Sequence, residues 1–173
     1  MDLTANWRKP LSSGRIDVTG YLNFTRNHIV GLRVPPELAN TDATFFDPYL
    51  EGGTIAIEKE RPEWRAGASV IRSGIRWDWM AKASYYGSFQ SALFGYSEST
   101  LQTYGGKTIV DAEVGFRFTP AMRVALGGRN LFDTYPDRMS VDNGFQLFLH
   151  PPGSPFGYNG RFVYFRLEFA AGN

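Results

Sequence analysis

The sequence predicts an all-β chain, an antiparallel meander of about seven long strands forming part of a transmembrane β-barrel. Three observations carry this expectation. Apolar and polar residues alternate with period two over most of the chain, the pattern of strands with one apolar and one polar face. Short turns and long connections take turns between the strands, as in outer-membrane barrels with tight periplasmic turns and large outer loops. Large aromatics stand toward the ends of the apolar faces, while mid-strand positions are often small: Ala66, Ala68, Ala81, Ala83 and Ala112.

Taken in order, the first run sets Leu3, Ala5 and Trp7 against Thr4, Asn6 and Arg8. After a turn at Pro10 to Gly14, Ile16, Val18, Gly20, Leu22 and Phe24 oppose Asp17, Thr19, Tyr21, Asn23 and Thr25. A long connection at about 27–61 leads to Trp64, Ala66, Ala68 and Val70, opposed by Glu63, Arg65 and Ser69. Beyond Ser73-Gly74, Ile75, Trp77, Trp79, Ala81, Ala83 and Tyr85 face away from Arg76, Asp78, Met80, Lys82, Ser84 and Tyr86. A second long connection spans about 87–106. Val110, Ala112, Val114, Phe116 and Phe118 then oppose Asp111, Glu113 and Arg117. A turn at Thr119-Pro120-Ala121 precedes Met122, Val124 and Leu126, which oppose Arg123 and Arg129. The third long connection, about 133–159, ends at Val163, Phe165, Leu167 and Phe169, opposed by Tyr164, Arg166 and Glu168. A 3.6-residue period fits none of these runs, so no helical segment competes with the strand reading.

Strands of roughly 10 residues cross a bilayer when tilted. Trp7, Trp64, Trp77, Tyr85 and Phe169 read as an interfacial girdle on the apolar face. The competing reading is a soluble β-sandwich binding module, whose strands also alternate but which would bury its large aromatics mid-strand. An autonomous small barrel is disfavoured by the odd strand count, because single-chain bacterial barrels have even numbers.

Bulk composition narrows the classes further. With 18 basic and 17 acidic residues the net charge is +1, which gives no footprint for a nucleic-acid partner. Cysteine is absent, excluding disulfides, zinc–thiolate sites and thiol catalysis. No apolar run reaches the ~18 residues of a membrane-crossing helix. Residues 1–6 carry neither a basic nor an apolar leader region, so on the barrel reading the chain is expected to be a fragment.

The segment Gly127-Gly128-Arg129-Asn130-Leu131-Phe132-Asp133-Thr134-Tyr135-Pro136 resembles the NLFD-type motif near the end of TonB-dependent outer-membrane receptors. Within it Asn130, Leu131, Phe132, Asp133, Tyr135 and Pro136 match the family pattern, with one residue between Asp133 and Tyr135 where two are usual. Ser154 to Phe162 resembles the family's final loop, and the strand after it, through Phe165, Leu167 and Phe169, its C-terminal assembly signal. The family usually ends on the aromatic, whereas Ala170-Ala171-Gly172-Asn173 follow here. Gln102 to Lys107 and Ala83 to Gly87 are similar to receptor sequence more weakly. The resemblance implies that residues 1–173 are the C-terminal segment of a large plugged barrel, with the plug domain and earlier strands absent. It also implies an outer-membrane location, lipid around the wall, and TonB engaged through the absent N-terminal part. The implied function is energised import of a scarce nutrient, foremost a ferric siderophore, with a small-molecule chelate as ligand. Cobalamin or oligosaccharide import are the alternatives within the family.

No residue pattern points to catalysis, a cofactor or a bound metal. His28 and His150 lie far apart in loops without ligand partners in the sequence. Asp42 and Asp47 lack calcium-ligand spacing, no Gly-x-Ser-x-Gly elbow exists, and Gly127-Gly128 opens no helix. The polar face, with Asp17, Arg65, Arg76, Asp78, Lys82, Asp111, Glu113, Arg117, Arg123, Arg129 and Arg166, suits a hydrated lumen that docks a plug. Ligand contacts are expected from loop aromatics: Phe45, Phe46, Tyr49, Tyr96, Tyr104, Phe145, Phe148, Phe156 and Tyr158.

Overall fold

A computed structural model describes residues 1–31, 33, 36, 53–92, 101–140 and 148–170. Its strands are β1 (Asp2–Leu11), β2 (Gly14–Phe24), β3 (Trp64–Gly74), β4 (Trp77–Tyr86), β5 (Phe89–Ala92), β6 (Leu101–Tyr104), β7 (Lys107–Thr119), β8 (Met122–Arg129) and β9 (Phe162–Phe169). Seven of them form one sheet in the order β1-β2-β3-β4-β7-β8-β9, every pair antiparallel. This is the expected meander, each long strand lying beside its predecessor.

The register explains the alternation. Trp7, Val18, Val70, Ala81, Ala112, Gly128 and Val163 are successive cross-strand partners, and so share one face. The neighbouring row on that face runs Ile16, Arg72, Trp79, Val114, Leu126, Phe165. On the opposite face Asp17, Ile71, Met80, Glu113, Gly127 and Tyr164 form a row. A one-residue slip of any strand would move its charges to the apolar side, so the pattern holds the pairing in place.

Where the apolar residues are buried separates this sheet from a sandwich. Trp79 is 41% exposed and Leu126 55%, both on inner strands of the sheet and on the apolar face. Among the described residues the buried hydrophobic side chains are Ile55, Phe89, Ala92 and Tyr104 in the long connections and Ala125 in the sheet. The protein's own core therefore sits at the long-connection end, and among the described residues no second layer covers the wall.

Two aromatic clusters bound the apolar face. Phe24 and Trp64 pack at 4.5 Å at the long-connection end, and Trp77, Phe116 and Phe118 pack at 4.6 and 4.8 Å at the short-turn end. From Trp64 to Gly74 there are ten steps along β3. At ~3.3 Å per step they span roughly 33 Å of strand, or about 25 Å along the normal at a barrel-like tilt. That matches the apolar band of an outer-membrane barrel. Arg72 falls on the apolar face at the short-turn end, where its guanidinium reaches Ser13 Oγ (2.9 Å) and Ser73 O (2.7 Å). A long side chain near a strand end thus carries its charge out to the polar margin.

Several expectations need correction. The long connections, read only as loops, carry regular structure: residues 53–58 are helical, and β5 and β6 pair as a second, two-stranded sheet within 87–106. Trp7 lies mid-strand, opposite Val18, because β1 extends to Leu11. Pro10 and Gly14 are paired strand residues, so the first turn shrinks to residues 12–13, and Ile75 belongs to the turn rather than to β4.

Candidate functional site

Two regions hold polar groups in defined geometry: the polar face of the wall and the cap of long connections above it. On the wall, Arg123 of β8 is enclosed by three carboxylates. Its Nε donates to Asp78 Oδ2 at 3.0 Å, Nη1 to Glu168 Oε1 at 2.9 Å and Nη2 to Glu113 Oε1 at 3.0 Å. Glu113 also accepts from the Tyr164 hydroxyl (2.7 Å) and pairs with Arg166 (3.1 Å). Asp17 takes Arg8 and Arg15 in the same way.

These bonds pass over glycine. Tyr164 of β9 reaches Glu113 of β7 across Gly127 of β8, where a Cβ would collide with the tyrosine ring. Gly115, between Asp78 and Arg123, is equally without room for a side chain. The carboxylates and arginines are legible in the sequence, but who pairs with whom depends on strand order. Arg117 spends its charge on the carbonyls of Ile75 and Gly74.

The segment Asn130 to Pro136 builds the exit of β8. Asn130 and Asp133 both have positive φ, 50° and 57°, in the left-handed region that asparagine and aspartate tolerate best after glycine. Asn130 closes the turn from both sides: its Nδ2 donates to Thr134 O (2.8 Å) and its Oδ1 accepts from Thr134 N (2.9 Å). The Asn130 amide donates to Asp111 Oδ1, tying the turn to β7. Asp133 Oδ1 accepts from the Arg161 amide (2.7 Å), tying it to the approach to β9. Leu131 donates its amide to Val110 O, Phe132 is largely exposed, and Tyr135 stacks on His150 at 5.4 Å. Pro136 follows as the chain crosses to the cap. Phe165, Leu167 and Phe169 line the apolar face of β9, paired with Leu126, Val124 and Met122.

The cap is knitted to the motif. Asp137 accepts from Lys107 Nζ (2.6 Å) and from the Gly105 amide (2.7 Å), which together hold its carboxyl below the usual carboxylate range. Gln102 donates to Arg138 O and accepts from the Ser140 amide, so residues 137–140 lie along β6. Ser91 donates to Glu60 Oε1 (2.6 Å), joining β5 to the segment after the helical turn. At the base, Arg26 and Glu63 pair through two bonds, which lower the Glu63 carboxyl and raise the arginine.

The cap also sorts the candidate ligand aromatics. Tyr104 is 1% exposed and stacks on Phe89 at 5.1 Å, so it is a core residue, its hydroxyl pushed up by burial. Phe156 packs on Tyr86 of the wall at 5.5 Å, and Tyr158 is exposed. Phe148 lies within the described residues, whereas Phe45, Phe46, Tyr49, Tyr96 and Phe145, with Asp42 and Asp47, lie outside them. His28 sits 3.1 Å from Glu58, far in sequence from His150. Among the described residues no three acidic or histidine groups converge as metal ligands, and no helix is long and apolar enough to cross a membrane. Sequence reading missed Asp137, and marked Gln102 and Lys107 only as ends of a weakly receptor-like stretch; their bonds form only once the cap is folded.

No family model and no curated protein matches the chain. Among solved structures it is similar to a mutant of PfeA, the ferric enterobactin receptor of Pseudomonas aeruginosa, at 14% identity and a TM-score of 0.60. The match covers 97% of this chain and 22% of that one. At such identity the similarity speaks for the fold: the sheet is built as a stretch of a β-barrel wall.

Proposed function

We propose that the chain is the C-terminal stretch of the barrel of a TonB-dependent outer-membrane receptor, and that the whole receptor imports a ferric siderophore. The observation that carries this reading is a sheet over which no described residues lay a second layer, with each face suited to a different medium. An apolar face about 25 Å tall between aromatic clusters suits lipid, and an opposite face of paired charges suits a hydrated lumen. In hydrocarbon an open backbone edge is intolerable, so the edges of β1 and β9 require further strands. The reading assigns these, with the plug and the segment that engages TonB, to another part of the same polypeptide. On this reading Asn130, Leu131, Phe132, Asp133, Tyr135 and Pro136 fasten the exit of β8, and Phe165, Leu167 and Phe169 present the assembly signal of the last strand. The role is that of a receptor rather than an enzyme, placed in the outer membrane.

The test is uptake of a labelled ferric chelate by cells bearing the full-length gene product, compared with a variant shortened between Asp133 and Tyr158. Wild-type uptake that falls in the shortened variant, with the heat-modifiable barrel band retained on gels, supports the reading. Recovery of the full-length product in soluble fractions without detergent would overturn it.

A further inference from the structure

Two cations stand on the apolar face of the wall, both at its short-turn margin. Lys9 of β1 and Arg72 of β3 lie in one cross-strand row with Ile16 between them and Trp79 beyond. Two strand spacings separate them, roughly 10 Å. The carboxylates of this end, Asp17, Asp78, Glu113 and Glu168, all lie on the opposite face and each pairs with arginine there. Among the described residues neither Lys9 nor Arg72 has an ion-pair partner.

Arg72 is held in place by neutral groups, which fix its charge without cancelling it. Nη1 donates to Ser73 O at 2.7 Å and Nη2 to Ser13 Oγ at 2.9 Å. The guanidinium lies over the paired backbones of Gly14 and Gly74, where an added Cβ would stand 2.7 and 3.2 Å from Nη1. This shelf borders a depression of about 360 Å³ lined by Ser13, Arg72, Gly74, Ile75, Arg76 and Trp77. Arg76 is exposed and also has no ion-pair partner among the described residues. Ile75 and Trp77 are largely exposed beside it. Toward mid-face the surface is low, with Ala68 and Val70 of β3 paired to Ala83 and Ala81 of β4. Two guanidinium groups and an indole at the foot of a low apolar strip are complementary to a phosphodiester that carries acyl chains.

We propose, resting on the receptor reading above, that this depression binds the headgroup of an anionic phospholipid from the periplasmic leaflet. Arg72 and Arg76 take the phosphate, Lys9 adds to the local positive potential, and the acyl chains run up the strip past Ala81 and Ala83. A zwitterionic headgroup brings an ammonium that the same cations repel, so the site selects for net negative charge. The occupant is a lipid rather than a free anion because the cations stand on the face that meets hydrocarbon, at the end where short turns mark the periplasmic side.

The experiment supplies equal phosphatidylglycerol and phosphatidylethanolamine to the purified full-length gene product in detergent micelles. Native mass spectrometry counts the lipid retained, and heat-modifiable migration reports barrel folding. Phosphatidylglycerol is expected to be retained preferentially, with the preference falling as salt rises. Arg72→Gln and Arg76→Gln should each lower that preference roughly fivefold. Arg72→Lys should keep most of it, and Arg65→Gln on the polar face should leave it unchanged. Arg76 lies in an exposed turn, so its variant tests the site even if Arg72→Gln fails to fold. Equal retention of the two lipids, or unchanged preference in folded Arg72→Gln and Arg76→Gln proteins, overturns this proposal and leaves the receptor reading standing. Full displacement by soluble glycerol phosphate at matched concentration also overturns it, since the site would then read a free anion. A full-length product that is soluble without detergent and retains neither lipid removes the receptor reading as well.

Discussion

Asp78 of β4 and Arg123 of β8 meet across β7, 45 residues apart in sequence, with Nε donating to Oδ2 at 3.0 Å over the bare backbone of Gly115. The pair sits at the centre of a cluster that also holds Glu113 and Glu168. Replacing Arg123 by methionine leaves three carboxylates facing one another. The expected cost is on the order of 2–3 kcal/mol, partial exposure lowering the figure for a fully buried pair. Urea titration of the barrel band should show a lower midpoint for Arg123→Met and a much smaller change for Arg123→Lys.

The two faces of the wall should respond oppositely to charge. Ala81→Arg or Ala112→Arg places a guanidinium mid-face on the apolar side, at a cost of roughly 2–4 kcal/mol in lipid. Ser69→Glu adds a charge on the polar face opposite Lys82 and should leave assembly intact. Surface abundance of each variant is the readout. Equal abundance for all three would mean the apolar face does not meet lipid.

Asn130 carries two bonds to Thr134 and a left-handed backbone at once. Asn130→Ala loses both bonds and strains the turn, and should cost about 2 kcal/mol. Asn130→Gly keeps the backbone but not the bonds, and should cost about half as much. Thermal midpoints of the barrel band rank the two, and the reverse order would assign the turn's stability to something other than this side chain.

The Asp137 carboxyl gives the cap a pH dependence of known sign. Lys107 and the Gly105 amide lower its folded value beneath the ordinary aspartate value of about 3.9. Its contribution is therefore complete above that value and is lost as pH falls through the lower, folded one. Protection of the Gly105 amide from exchange, corrected for intrinsic rates, should persist from neutrality through the ordinary aspartate value and fail only as pH falls through the lower, folded one. Asp137→Asn should show weaker protection throughout with no such acid step.

The sequence made the wall legible because each face keeps one character along its whole length, so period two recurs in every long strand from Ile16 to Phe169. It left the cap obscure for the opposite reason. Phe89–Ala92 and Leu101–Tyr104 are four residues each, too short for a period to emerge, and their neighbours come from three separate connections. Trp7 misleads as a strand-end aromatic because the strand continues through Lys9 and Pro10 to Leu11. The cluster around Arg123 was visible as a set of charges on one face. Its pairing was not, since that depends on which strands lie side by side and on two glycines that let side chains cross.

The meander has a polarity that constrains whatever completes it. β1 runs toward the short turns, and so does β9, because an odd number of strands begins and ends in the same sense. Its two edges cannot be joined to each other without a parallel seam. A second copy brings two more edges of that same sense, so it fits antiparallel only when inverted, with its loops at the opposite membrane surface. The complement that keeps all long loops on one side must start and finish with strands running toward them. It must therefore also contribute an odd number, a condition that any proposed upstream region can be checked against by counting alone.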